Sequence, residues 1–356
     1  MLTKFCKRLA TRQALAGIAL TAFLAAVGPA AANDSASELA AGGLVLVKTD
    51  AISMQREDLT LSPSEVRVRY EMRNDTGQPV TLRVAFPMPE VPSDSPAGKT
   101  TSTGGHNIAI KPVTDANFMQ FRVWADQREL TPEIEVQALL PGGPDIAPAL
   151  REIGGLPLVL QPGTFLLEDK TLPAETRRKL QALEAFEALD ATAFRLPWTT
   201  HVTFHWMQTF APGVTVIEHS YRPILGERLL VIEDNGRLVG SGGEDPVHAF
   251  CIDPATDQAI RAADKRLKAG KTDATVLAFT LGYILKTARN WRGPIGTFHL
   301  VLQGGPVIFY DEKRGEVRLT SLCTDLPLRS TGPQRLEVTV QDYVPKEDLR
   351  ILYIAQ

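Results

Sequence analysis

The chain has no apolar run of the roughly 18 residues that a membrane-spanning helix needs. It has no Cys-x-x-Cys pair and only six histidines in 356 residues. Each shortage removes a class of function. The stretch Ala14 to Val27 runs for 14 residues, and Ala274 to Leu285 for 12 with Thr280 and Gly282 inside it. The second reads as a buried strand and neither as a span. Thiol redox chemistry lacks its motif. Gly-x-Ser-x-Gly, Ser-x-x-Lys, His-Glu-x-x-His, the phosphate-binding loop and the dinucleotide Gly-x-Gly-x-x-Gly are all absent, so an enzymatic role has no signature to rest on. Gly240-Ser241-Gly242-Gly243 is a loop with no helix pattern behind it.

The N-terminus is informative. Lys4, Lys7, Arg8 and Arg12 precede the 14-residue apolar run, and Ala30-Ala31-Ala32 follows it. That order predicts a secretion signal, residues 1–32, cleaved after Ala32 to give a periplasmic or secreted protein. Losing four basic residues leaves 34 basic against 41 acidic ones, a balance of −7. Such a charge gives no electrostatic reason to seek nucleic acid or an anionic membrane surface. Cys6 leaves with the signal, and the remaining pair, Cys251 and Cys323, reads as a disulfide in an oxidising compartment. In the chain-entropy picture such a long closed loop stabilises by up to about 4 kcal/mol.

The pattern predicts a mainly β fold with helical insertions, built as two β-sandwich-like domains, 33–225 and 226–356. In EVRVRYEMRN, Val66, Val68, Tyr70 and Met72 alternate with charged residues, as in a half-buried strand. Turn residues Asn74-Asp75-Thr76-Gly77 and a second alternating run, Val80 to Phe86, predict an antiparallel hairpin. Residues 90–117, rich in Pro, Ser, Thr and Gly, are a long loop, either functional or disordered. Residues 141–197 hold a helical insertion whose stronger helix carries Leu180, Leu183, Phe186 and Leu189 as a stripe over a sheet edge or core. Asp234-Asn235-Gly236 marks a tight hairpin. A helix near 253–269 has Asp253 as cap, Pro254 at its first position and Gly270 beyond its end. Short strands follow to the C-terminus.

Short blocks spaced along the whole mature chain resemble one family. They are Asn33-Asp34-Ser35, Gly42-Gly43-Leu44, Glu57-Asp58-Leu59, VAFPMP at 84–89, His219-Ser220-Tyr221-Arg222-Pro223, Cys251-Ile252-Asp253 and NWRGPI at 290–295. Together they resemble the secreted bacterial family catalogued as domain of unknown function 4424. The resemblance implies export and no reaction, ligand or catalytic residue.

One cluster invites a chemical reading. The segment HVTFHWMQTFAPGVTVIEHS holds His201, His205, Met207 and His219. On an antiparallel hairpin with a three-residue loop, His219 faces His205, and two imidazoles with a thioether suit copper. The alternative, preferred here, is that these side chains are packed structural groups. Three functions remain: a non-catalytic binding or assembly factor with an unknown protein or ligand partner in the cell envelope and no cofactor; a copper- or zinc-binding protein; and a hydrolase of unfamiliar type. The first is the leading expectation.

Overall fold

Alternation drives the strands. In Val66–Asn74, Val66, Val68, Tyr70 and Met72 are buried while Arg67 and Arg73 are exposed, and the same period of two buries Val202, Phe204 and Trp206 in Thr199–Phe210. The computed structural model describes residues 35–40, 43–88, 91–92, 117–156, 158, 167–168, 172–188, 193–240, 245–270, 275–309 and 312–355. The signal segment with its cleavage point, and the 90–117 loop apart from residues 91–92 and 117, lie outside them.

Strands dominate, in three large sheets. The central sheet has eight strands in the order Arg329–Gly332, Arg335–Tyr343, Ile295–Gln303, Ile52–Leu61, Val66–Asn74, Gly213–Tyr221, Arg122–Ala125 and Arg128–Leu130. Its inward face carries Leu300, Leu59, Val68, His219 and Val123 in register across five strands, all buried. A first six-stranded sheet, which includes Val80–Pro87, Thr199–Phe210 and Glu133–Leu139, lays Phe86 and Phe204 on this face. The Phe86 and His219 rings are 4.5 Å apart and those of Phe121 and Phe204 4.4 Å. A third, six-stranded sheet, including Gly226–Ile232, Val276–Tyr283 and Leu349–Ala355, contributes Phe279, Tyr283, Ile351 and Tyr353 to the same cluster as Phe298 and Leu300. Each such side chain removed from water contributes about 1.5–3 kcal/mol. Two sandwiches thus share one sheet.

That sharing runs through a parallel pairing of Ile52–Leu61 with Ile295–Gln303, in which Leu59 faces Leu300. Segments on either side of residue 226 therefore lie in one sheet and one core.

Two expected hairpins are absent. Val66–Asn74 does not pair with Val80–Pro87, nor Thr199–Phe210 with Gly213–Tyr221. In each case the turn carries the chain from one sheet to the other: Val80–Pro87 pairs with Thr199–Phe210 in the first sheet, and Val66–Asn74 with Gly213–Tyr221 in the central one. The gain is packing, because crossing lets both apolar faces meet each other.

True hairpins form where the turn chemistry demands them. Ala125 faces Arg128 across a two-residue turn whose Asp126 and Gln127 both have positive φ. Ile232 faces Leu238 around Asp234-Asn235-Gly236. The helix Pro254–Ala269 is capped as expected, with Asp253 Oδ1 accepting from the Thr256 N–H at 2.6 Å. It lays Ile260 on the third sheet's far face against Val276, Ala278 and Leu352.

The helical insertion forms its own cluster, in which Leu150, Leu180, Phe194 and Trp198 meet Ala138 of the first sheet. Its stronger helix is shorter than its apolar stripe suggests, Ala174–Ala182. Glu184 takes a left-handed φ of 57°. The Ala185 N–H then donates to Leu180 O and the Glu184 N–H to Gln181 O, the double bond that closes a helix end. Leu183 and Phe186 still pack, partly buried; Leu189 lies outside the described residues.

Candidate functional site

The four residues singled out as a metal set are not brought together. His201, His205 and Met207 belong to the outward face of the first sheet, where His205 lies opposite Ala85 and Glu133 and Met207 is 57 % exposed. Burial pushes the His205 pKa down, against the pull of Glu133. His219 points the other way, into the core. Its ring sits among Tyr70, Phe86, Phe121 and Tyr221, and burial drives its pKa down to about 3. The two strands cross between sheets instead of pairing, so no register can bring His205 and His219 together. Among the described residues no group of three or more His, Cys, Asp or Glu side chains is placed to hold a metal ion.

Cys251 and Cys323 are bonded. The bridge ties the residue three before the helix Pro254–Ala269 to the end of the strand Glu312–Cys323, and Ser321 Oγ donates to the Phe250 and Cys251 carbonyls beside it.

Chemistry-bearing side chains converge instead on the outward face of the central sheet. His299, Asp58, Arg69, Glu218 and Trp124 lie in register across five neighbouring strands. Alternation decides which of two adjacent acids takes part: Glu57 is buried in the core, and Asp58 turns outward. Asp58 accepts both Nε and Nη2 of Arg56, at 2.7 and 2.6 Å, and lies 3.1 Å from His299 Nδ1. On its other side His299 Nε2 is 2.8 Å from Glu337, which also accepts from Arg335. Partial burial pushes the Asp58 carboxyl up, but Arg56 and His299 outweigh it and hold its pKa below the ordinary value. Hydrogen bonds from His299 and Arg335 do the same for Glu337.

Beside this chain of contacts lies a solvent-open depression of about 600 Å3. Val68 and His219 have inward side chains, so they give it backbone for a floor, and Thr60 and Ser220 keep that floor low. Arg67, Arg69, Arg122 and Trp124 form its walls. Arg122 is fixed by a two-pronged bond to Glu129, at 2.8 and 3.0 Å, with its guanidinium 4.8 Å from the centre of the Trp124 ring. Arg67 pairs with Glu65 at 2.8 Å, and Arg69 with Glu71 at 2.8 Å. Thr60 and Ser220 bring hydroxyls to the floor, and the His219 imidazole is turned away from them into the core. The arrangement offers many donors and acceptors side by side.

Sequence reasoning does not single out Asp58, Arg69, Trp124 or Glu218. The alternation in EVRVRYEMRN does place Arg67, Arg69 and Glu71 on one outward face; which strands lie beside that face is not written in it.

The family described as Domain of unknown function (DUF4424) matches residues 32–352. Comparison with curated proteins gives no significant match. Among solved structures, the chain is similar to one from Legionella pneumophila described as that of a candidate nutrient-binding protein. The two share 12 % identity and a TM-score of 0.39, over 92 % of this chain and 72 % of the other.

Proposed function

The chain belongs to the DUF4424 family, whose description names no activity, and from the site alone we propose that it is a non-catalytic binding protein of the cell envelope, holding a polar ligand or partner segment on the outward face of its central sheet. One observation carries this reading. Arg67, Arg69, Arg122 and Trp124, from two separate strands, meet over an open depression. Sites of this kind, concave and with fixed polar groups, are where rigid folds take ligands. Two features support a place outside the cytoplasm: the signal pattern of residues 1–32 and the Cys251–Cys323 bond. The copper site read from the sequence would need His205 and His219 on one face, and they lie in different sheets.

The test is a thermal-shift panel of small polar compounds on the mature protein, repeated on the double variant Arg67→Ala, Arg122→Ala. Compounds that raise the wild-type melting temperature should lose that effect in the variant. Equal shifts in both proteins would sink the assignment to this depression.

A further inference from the structure

Resting on that reading, the chemistry of the walls narrows the ligand: we infer that the depression is built for an uncharged, hydroxyl-rich molecule, a sugar ring seated against Trp124. Charge balance is the first argument. The lining groups include three guanidiniums, Arg67, Arg69 and Arg122, and three carboxylates, Asp58, Glu65 and Glu218. A site for a phosphate or carboxylate leaves its arginines in excess, so that the anion supplies the missing charge. Here Arg67 and Arg69 already meet carboxylates of the protein at 2.8 Å, and Arg122 meets Glu129. Pairing Arg56 with Asp58 as well leaves Glu218 as one acid over, where a cation site gathers several. The charges nearly balance while the number of donors and acceptors is high.

That combination fits hydroxyl groups. Each hydroxyl both donates and accepts. A guanidinium presents neighbouring donors in a fixed fork, and a carboxylate presents two acceptors side by side, so two adjacent hydroxyls can be met by either. Glu218 makes this concrete. It stands in register between Arg69 and Trp124 yet makes no ion pair among the described residues, leaving both oxygens for a ligand.

Trp124 supplies what ions do not need, an apolar ring: Arg122 lies over one face of it, and the other face is the plate against which the C–H face of a sugar can lie. Arg122 rests on this ring and pairs with Glu129, contacts that favour this arrangement of ring and donors before a ligand arrives. The depression, at about 600 Å3, lies in the usual size range for small-ligand sites, about 300–1,000 Å3.

The probes are maltotriose, cellotriose and tri-N-acetylchitotriose as neutral ligands, with trigalacturonate and citrate as anionic ones, titrated calorimetrically into the mature protein at low and high salt. At least one neutral trisaccharide should bind, with an affinity that salt does not alter. Trp124→Ala and the isosteric Glu218→Gln should each weaken it about tenfold or more, a clear change in Kd. Glu218→Gln guards against a folding defect in the tryptophan variant. Binding of an anionic probe alone, weakened by salt and by Trp124→Ala, would overturn the sugar and leave the binding role standing. No binding of any neutral probe at about 10 mM would also overturn the sugar, with the thermal-shift panel deciding the binding role separately. Trisaccharide binding untouched by both variants would overturn both readings of this depression.

Discussion

Asn74 Nδ2 donates to the carbonyl oxygen of Phe210, 2.8 Å away and 136 residues further along the chain. The same amide donates to Gln78 O at 2.7 Å, and its oxygen accepts from the N–H and hydroxyl of Thr76. Asn74 ends a strand of the central sheet and Phe210 a strand of the first. One buried side chain thus ties together the two crossovers that replace the expected hairpins.

Asn74→Ala takes the side-chain donor from the buried Phe210 carbonyl, while Gln78 O, at an exposed residue, keeps Thr76 Oγ1. With about 1–3 kcal/mol for a stranded buried group, the variant should lose about 1–3 kcal/mol in urea unfolding. Asn74→Asp, which sets a carboxylate oxygen against those carbonyls, should lose more. An unchanged urea midpoint in Asn74→Ala would show that the crossovers do not depend on this amide.

His219 gives a pH dependence of defined sign. Its pKa is about 3 in the folded protein, through burial, and about 6.5 in the unfolded chain. Below pH 6.5 the unfolded state takes up a proton that the folded state refuses. Stability is therefore full above about 6.5 and falls on acidification toward 3, by up to about 1.4 kcal/mol per pH unit. His219→Phe, among Tyr70, Phe86, Phe121 and Tyr221, should flatten the melting-temperature profile between pH 6.5 and 4.5. A variant with the wild-type slope would place the titrating group elsewhere.

Gly296 stands where the parallel pairing begins. A Cβ there would meet the Gln55 carbonyl oxygen at 2.7 Å, so the residue is glycine because another backbone comes too close. Gly296→Ala should cost about 1–3 kcal/mol. Since the segments before and after residue 226 share a sheet, calorimetry should show one transition in both proteins, at a lower temperature in the variant. Two separated transitions in the wild type would mean that the sandwiches unfold independently.

Removing the disulfide with Cys251→Ser and Cys323→Ser should cost about 2–4 kcal/mol. The earliest gain in hydrogen exchange should fall on the start of the helix Pro254–Ala269, which the bridge anchors. Exchange that rises first in the central sheet would contradict that local role.

Sequence patterns reported faces and ends well. The alternation through Val66–Met72 and Val202–Trp206, the Asp253 cap and the Asp234-Asn235-Gly236 turn all depend on neighbours within a few residues, and all are seen. Pairing partners were a different matter. The turns after Asn74 and Phe210 look like hairpin turns, because turn residues reverse the chain without saying whether it returns to the same sheet. That choice depends on how Phe86 and Phe204 pack on the central sheet, a contact between distant segments. The candidate site suffers from the same blindness. Arg69 was visibly an outward residue, but its place beside Glu218, with Trp124 on the far side, follows from strand order alone. The histidine set failed for the converse reason: closeness in sequence stood in for closeness in space.

The pairing of Ile52–Leu61 with Ile295–Gln303 also sets a timetable. As the chain emerges from a ribosome, the central sheet cannot close until residue 303 is out. Until then Ile52–Leu61 presents a bare edge that any other extended chain can join. A premature stop near residue 290 would make that exposure permanent, yielding a product fated for aggregates or proteases. For the export proposed above, the same lateness is useful: no finished sandwich can jam the passage.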